Sequence, residues 1–373
     1  CESMILQGEQ NKKGFPLKEV SINKTNDCRG AYQHFIARKM LFLGVCLAIL
    51  FFLILLSASI GGTTKGPYEV LQAVAARFLP VESDPFVMGV VWHLRLPRVF
   101  LGLLAGIGLA ISGAAMQGVT RNPLVSPFTV GISSAAAFGA SLAIMFGISY
   151  IGSGTYIIIL AAFAGALGCS MLVFGLTRLK RGSPETLILA GIALNYFFGS
   201  LTAILQFFAN EQQLNAMVNW TFGTLSGADW GRISIISIVL LFCIPLLIRL
   251  AWDLNAIFSG GDETAKSLGI DTSRIRTLTL LISSLITASI ISFTGIIGFV
   301  GLVAPHLARM AIGEDHRFLL PASCLVGAIL VIGADIVGRT VMEPLILPIG
   351  IVISFVGVPM FLYLMMTRDT RWG

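Results

Sequence analysis

The sequence is poor in charge. Asp, Glu, Lys and Arg make up 12% of its 373 residues, where a soluble globular domain carries about 25%. So little charge cannot dress a water-facing surface when 55% of the residues are hydrophobic. A soluble enzyme, a secreted disulfide scaffold and a disordered chain are excluded. Patterned cysteine is missing too. The six cysteines, at 1, 28, 46, 169, 243 and 324, show no CxxC and no metal-ligand spacing. Four of them lie in apolar runs, as small core residues do. No HExxH occurs, which removes the zinc-protease reading. The net charge of +6 is too small to argue for nucleic acid and fits the Lys and Arg that orient membrane proteins.

What is present is apolar length. A bilayer-crossing helix needs about 20 apolar residues. Apolar runs fall at 41–60, 96–118, 128–148, 156–177, 186–208, 233–250, 277–297, 298–312, 318–337 and 348–366. They predict an all-α polytopic membrane protein of about ten transmembrane helices, because a bilayer offers no water to loose backbone groups. The seventh and eighth runs are nearly continuous. Residues 1–39 differ in kind: they hold 11 of the 44 charged residues and lack the layout of a cleaved signal peptide. They read as a polar cytoplasmic tail ahead of a membrane domain over 40–373. With ten spans and the tail inside, the inner segments hold 19 of the 25 Lys and Arg residues. The outer six are Lys65, Arg77, Arg95, Arg98, Arg232 and Arg339. Both termini are therefore expected in the cytoplasm.

Leu94-Arg95-Leu96-Pro97-Arg98 opens the second span. Gly102, Gly106, Gly108, Ser112, Gly113 and Gln117 follow, then Thr120-Arg121-Asn122-Pro123-Leu124. Small residues at such spacings let helix backbones approach closely. The longest inner loop, 251–276, contains a decoy. Residues 260–267 read G-G-D-E-T-A-K-S, close to the phosphate-binding GxxxxGK[ST], but Ala265 stands where glycine is required, and Asp262 and Glu263 would repel phosphate. A short helix fits better. Asp262 and Glu263 suit its first turn, and Gly269 can close it in the left-handed conformation. Ala265 and Leu268 then share a face flanked by Lys266. That face either packs on its own protein or docks in a partner's groove.

Gly295, Gly298, Gly301 and Pro305 mark irregular or closely packed backbone at membrane depth. His306 reads as a helix-end hydrogen-bonding group rather than a metal ligand. Asp335 and Arg339 lie four apart near the outer end of the ninth span. They suit an i, i+4 pair, although an intramembrane acid is also a functional candidate. An ion-coupled secondary transporter is the rival class, and only the off-centre Asp335 speaks for it.

Taken together, RLPR at 95–98, SGAAMQG at 112–118, RNPL at 121–124, LILAGIALN at 187–195, LGI at 268–270, IGFVGLVAPHLAR at 297–309, EDHR at 314–317, ADIVGR at 334–339 and LPIG at 347–350 carry a resemblance. The chain resembles the FecCD permeases of type II ABC importers, which move iron-siderophores, haem and cobalamin across prokaryotic cell membranes. The resemblance covers roughly 65–367. It implies a ten-span homodimer with both ends inside and the translocation path between subunits. It implies two cytoplasmic ATPase subunits, which bind ATP and Mg, docked on the helix of Asp262, Glu263, Ala265, Lys266, Leu268 and Gly269. It implies a substrate-binding protein docked outside on Arg95, Arg98 and Arg339, with Asp335 orienting Arg339. A cytoplasmic gate is implied at Ser183, Pro184, Glu185 and Thr186. Asn122, Pro123, Gly298, Gly301, Pro305 and His306 match motif positions of structural role. The chain itself would hold no catalytic residue, metal or cofactor. Ferric siderophore is the expected cargo, with haem, cobalamin and oxyanions as alternatives.

Overall fold

The computed structural model describes residues 20–60, 67–79, 83–147, 154–179 and 184–367. Among the described residues there are helices and the turns between them, and no strand. In chain order the helices are α1 (Val20–Ser59), α2 (Pro67–Ala75), α3 (Pro85–Val90), a π-helical turn (Val91–Arg95) and α4 (Leu96–Thr120). Then come α5 (Ile132–Met145), α6 (Gly154–Leu179), α7 (Pro184–Phe208), α8 (Glu211–Phe222) and α9 (Trp230–Arg249). The last are α10 (Ala251–Ser267), α11 (Thr272–Thr294), α12 (Val300–Ile312), α13 (His316–Thr340) and α14 (Ile349–Thr367). Contacts divide the chain at Phe42. Residues 20–42 supply the first part of α1, and the helical bundle described below is the unit 43–373.

Among the described residues seven helices are long and apolar enough to cross a membrane, and three shorter apolar ones lie at 132–145, 300–312 and 349–360. They coincide with the ten predicted runs. The faint break between the seventh and eighth runs is real: α11 ends at Thr294 and α12 begins at Val300. At 1.5 Å per residue α12 is about 20 Å long, short of the roughly 30 Å hydrocarbon core. The irregular stretch 295–299 makes up the difference: Gly295 and Ile297 are buried, and Ile296, Gly298 and Phe299 line a cavity, the two settings in which such backbone is tolerated.

The core forms around α4. Its span is 78% buried, more than any other, and α13, α11, α12 and α9 pack on it. Glycine makes this approach close. A Cβ at Gly106 would stand 2.5 Å from the Gly327 carbonyl oxygen on α13, and one at Gly108 would meet Ile290 and Ile286 of α11. Gly113 lies against the Gly301 backbone of α12. A second pair follows the same rule: Gly139 on α5 meets Ala161, and Gly165 on α6 meets Ala135.

Pro305 sits inside α12 without ending it. It has no N–H to give to the Gly301 carbonyl four residues back. Gln117 Nε2 approaches that oxygen instead, at 3.5 Å, and Gln117 Oε1 accepts from Arg309 Nη2 at 3.0 Å. His306 is therefore in mid-helix and buried, not at a helix end. The helix α8 has no counterpart among the ten runs, being too polar to register. Its capping box, Asn210 with Gln213, was the available signal.

Candidate functional site

Two polar clusters stand at opposite ends of α4. At the first, Arg98 Nε donates to Asp335 Oδ1 at 2.9 Å, and Arg339 Nε lies 3.0 Å from Asp335 Oδ2. The expected i, i+4 pair thus has a third member from α4. Asp335 is only 4% exposed and bridges both guanidinium groups. Arg339 also donates to the carbonyls of Ile60 and Ser57 and to Ser57 Oγ. Arg95 Nη1 donates to the carbonyls of Ala58 and Ser59 at 3.0 and 3.2 Å. These carbonyls are the orphan acceptors at the C-terminus of α1, where cations suit the helix dipole.

The three arginines expected at the outer surface are therefore gathered in one place, and they differ in availability. Arg95 is 8% exposed, while the Arg98 side chain is 15% exposed. Arg98 and Arg339 share the one carboxylate of Asp335, so two cations are set against a single anion. It is seated on an apolar cluster that includes Val70, Val87, Val91, Val99 and Ile332, contributed by α2, α3, the π turn, α4 and α13.

The second cluster surrounds the 251–276 loop. The backbone of α10 breaks at Gly261, whose φ of 76° and ψ of 176° are not helical. The second part is the expected short helix. It closes as a Schellman motif: Ile270 N–H donates to Ala265 O at 3.0 Å and Gly269 N–H to Lys266 O at 2.9 Å, with Gly269 at φ 83°. Asp262 receives both of its hydrogen bonds from Arg276 Nη2 on α11, at 3.0 Å each. The apolar face, however, is split. Ala265 is fully buried in its own protein, whereas Leu268 is 68% exposed. The helix is short enough that one residue anchors it and the other points out. Glu263 and Lys266 are exposed beside Leu268.

Arg121 links this hinge to α4. It takes the left-handed place after the helix at φ 54°, where glycine is usual. A Cβ on Gly261 would stand 2.9 Å from its Nη1. Next to it Asn122 Oδ1 accepts from Leu124 N–H at 2.9 Å, a turn that Pro123 pre-sets. The sequence offered Arg121 only as part of RNPL and gave no sign of Arg276 or Gln117 as partners.

Apart from both clusters, an open, mainly apolar cavity of about 620 Å³ is lined by Phe128, Phe222, Gly298, Phe299, Ser354 and Phe355, among others. Phe299 holds a left-handed backbone at φ 63°, which is costly for an aromatic residue. That conformation starts α12 and places Phe299 at the cavity wall. Of the four expected gate residues, Ser183 lies outside the described residues. Pro184, Glu185 and Thr186 form the first turn of α7, with Pro184 at a position that suits proline.

Comparison with known proteins gives a consistent result. The model of the FecCD transport family matches residues 49–367. The hemin transport system permease HmuU of Yersinia pestis is 38% identical over 89% of this chain and 98% of its own length. The cobalamin import system permease BtuC of Halobacterium salinarum is 38% identical over 83% of this chain and 82% of its own. A solved inward-facing structure, described as a metal-chelate type ABC transporter, superposes with a TM-score of 0.76 at 32% identity, covering 87% of this chain and 99% of that one.

Proposed function

The chain belongs to the FecCD transport family, and from that premise we propose that it is the membrane permease of an ATP-driven importer for a metal chelate. Ferric siderophore is the first expected cargo, with haem and cobalamin next. The observation that carries the reading is α4. One buried helix ends in the arginine cluster on one side and, through Arg121, against the hinge of the loop on the other. An importer needs such a joint between an outer docking surface and an inner motor.

In this reading two copies of the chain enclose the path, and the 620 Å³ aromatic cavity contributes to its wall. Both termini lie in the cytoplasm. Two ATPase subunits bind ATP and Mg and engage the helix Asp262–Gly269 through exposed Leu268, Glu263 and Lys266. ATP-driven closure of those subunits moves the helix, and the cavity changes the side to which it opens. The permease makes and breaks no covalent bond. Ser183–Thr186 form the inner gate. The alternative of an ion-coupled transporter is weakened by the ion pairs of Asp335, which leave it no role as an off-centre proton or sodium carrier.

The deciding experiment reconstitutes the permease with its ATPase and binding protein in proteoliposomes. Uptake of the chelate that co-purifies with the binding protein is expected only with ATPase and ATP. Equal uptake after omission of the ATPase overturns the importer reading.

Docking is expected to depend on the field of the arginine cluster more than on any single side chain. Its excess charge would steer acidic groups of the binding protein. Arg98→Gln is expected to slow association about threefold to tenfold at low salt, with the difference shrinking above about 0.5 M salt, where surface charges are screened. Interferometry on nanodiscs reads this directly. An association rate that is unchanged at low salt refutes the docking role.

A further inference from the structure

The EDHR segment and the first part of α10 contain a grip that the importer reading leaves unassigned. Trp252, Asn255 and Phe258 recur every three residues and so share one helix face. That face meets the start of α13. Arg317 lies over the Trp252 ring at 4.3 Å. Asn255 Oδ1 accepts from His316 backbone N–H at 2.7 Å and faces His316 Nδ1 at 2.8 Å, while Asn255 Nδ2 donates to Asp315 Oδ1 at 2.8 Å. The Phe258 ring meets the His316 ring edge-on, with centroids 5.4 Å apart.

One amide thus satisfies the capping residue of α13 and its first orphan N–H together. Asp315 remains charged for this role. Burial pushes its carboxyl up, but bonds from Arg317 and Asn255 outweigh this and hold it well below the usual carboxylate range. His316 is fully buried. With Nδ1–H given to Asn255, its Nε2 is a bare acceptor with no hydrogen-bond partner among the described residues, held against α4 so closely that a Cβ at Gly118 would meet it. The ring therefore wedges between α10, α13 and α4, and the grip ends three residues before the Gly261 hinge.

We propose that Asn255 and His316 form a latch that transmits movement of the coupling helix to the α4–α13 pair. Asn255 is its positioning residue. With the latch closed, displacement of the short helix pulls on the start of α13 and, through His316, on α4. The two helices are joined again at their far ends by Arg98 and Asp335, so they move as one body toward the arginine cluster. With the latch open, the same displacement is taken up by the loop.

This inference rests on the importer reading, and the test separates the two. Asn255→Leu keeps the volume and removes every polar contact. In the reconstituted complex, ATP hydrolysis is expected within about twofold of wild type while uptake falls about tenfold, so ATP consumed per cargo rises about tenfold. Asn255→Asp keeps both bonds to His316 and sets a second carboxylate against Asp315, and an intermediate rise of about threefold is expected. It carries the test if Asn255→Leu is not recovered as an assembled complex. An unchanged ATP-to-cargo ratio in the recovered variants, including a proportional fall in both activities, overturns the latch. Wild-type uptake without the ATPase overturns the importer reading, and the latch with it.

Discussion

Replacing Gly113 with alanine is expected to leave little folded protein to extract from the membrane. A Cβ there would stand 1.7 Å from the Gly301 carbonyl oxygen and 2.5 Å from its carbonyl carbon. Both are backbone atoms and cannot rotate away. Restoring ordinary contact requires α4 and α12 to part by more than about 1.5 Å, and overpacking of this kind costs about 1–3 kcal/mol or more. The separation also strains the chain of bonds from Arg309 through Gln117 to Gly301, whose last link is already 3.5 Å long. Loss of a buried hydrogen bond from a charged group adds about 1.5–3 kcal/mol. The two together consume much of an ordinary domain's stability of about 5–15 kcal/mol. The control is Gly168→Ala on α6, where a Cβ meets nothing within 4 Å. It is expected to be neutral or stabilising by up to about 1 kcal/mol, as alanine favours helix. Monodisperse yield in detergent and the melting temperature compare the two variants. Equal behaviour would show that α4 and α12 do not pack through Gly113.

The helices and their order were legible because the bilayer imposes a length and a composition that no other solvent demands. The Schellman end at Gly269 was legible for a local reason, since only the residues at its own helix end decide it. Long-range polar pairing was not. Asp335 and Arg339 announced themselves by a spacing of four, but the Arg98 partner comes from 237 residues away, and no periodicity links the two. Arg95 looked like a surface group because LRLPR lies near the predicted interface. It is buried because the carbonyls at the end of α1 need donors, and the demand of a distant helix end cannot be read at position 95. His306 reads in sequence as a helix-end group, yet α12 runs on through Pro305 and past it. The side chain that approaches the freed carbonyl, Gln117, sits on another span. Ala265 and Leu268 share a face in sequence, and only the packing of α10 decides that the first is buried and the second exposed.

Asp335→Asn is expected to destabilise the arginine end and to be rescued by a second substitution. The carboxylate is 4% exposed and is the ion-pair partner of both Arg98 and Arg339, whose side chains are 15% and 11% exposed. Asparagine keeps the shape but removes the charge, leaving the arginines with no carboxylate between them. Removing one member of a fully buried pair costs about 3–5 kcal/mol. Partial solvent access to both guanidinium groups lowers this to about 2–3 kcal/mol. Arg339 retains its bonds to Ser57 and Ile60, so the damage falls mainly on mutual repulsion and on Arg98. Arg339→Gln in the Asp335→Asn background removes one of the repelling charges. The double variant is therefore expected to be more stable than the sum of the two single effects by about 1 kcal/mol or more, which a double-mutant cycle on nanodisc melting measures. Strict additivity would mean that Asp335 and Arg339 do not interact. The same variants bear on docking from the other side. Asp335→Asn adds one unit to the positive charge of the cluster, so acidic partners should associate faster at low salt even as the fold weakens. Stability and association rate moving in opposite directions is the signature of a cluster held together by one acid and kept positive for a partner.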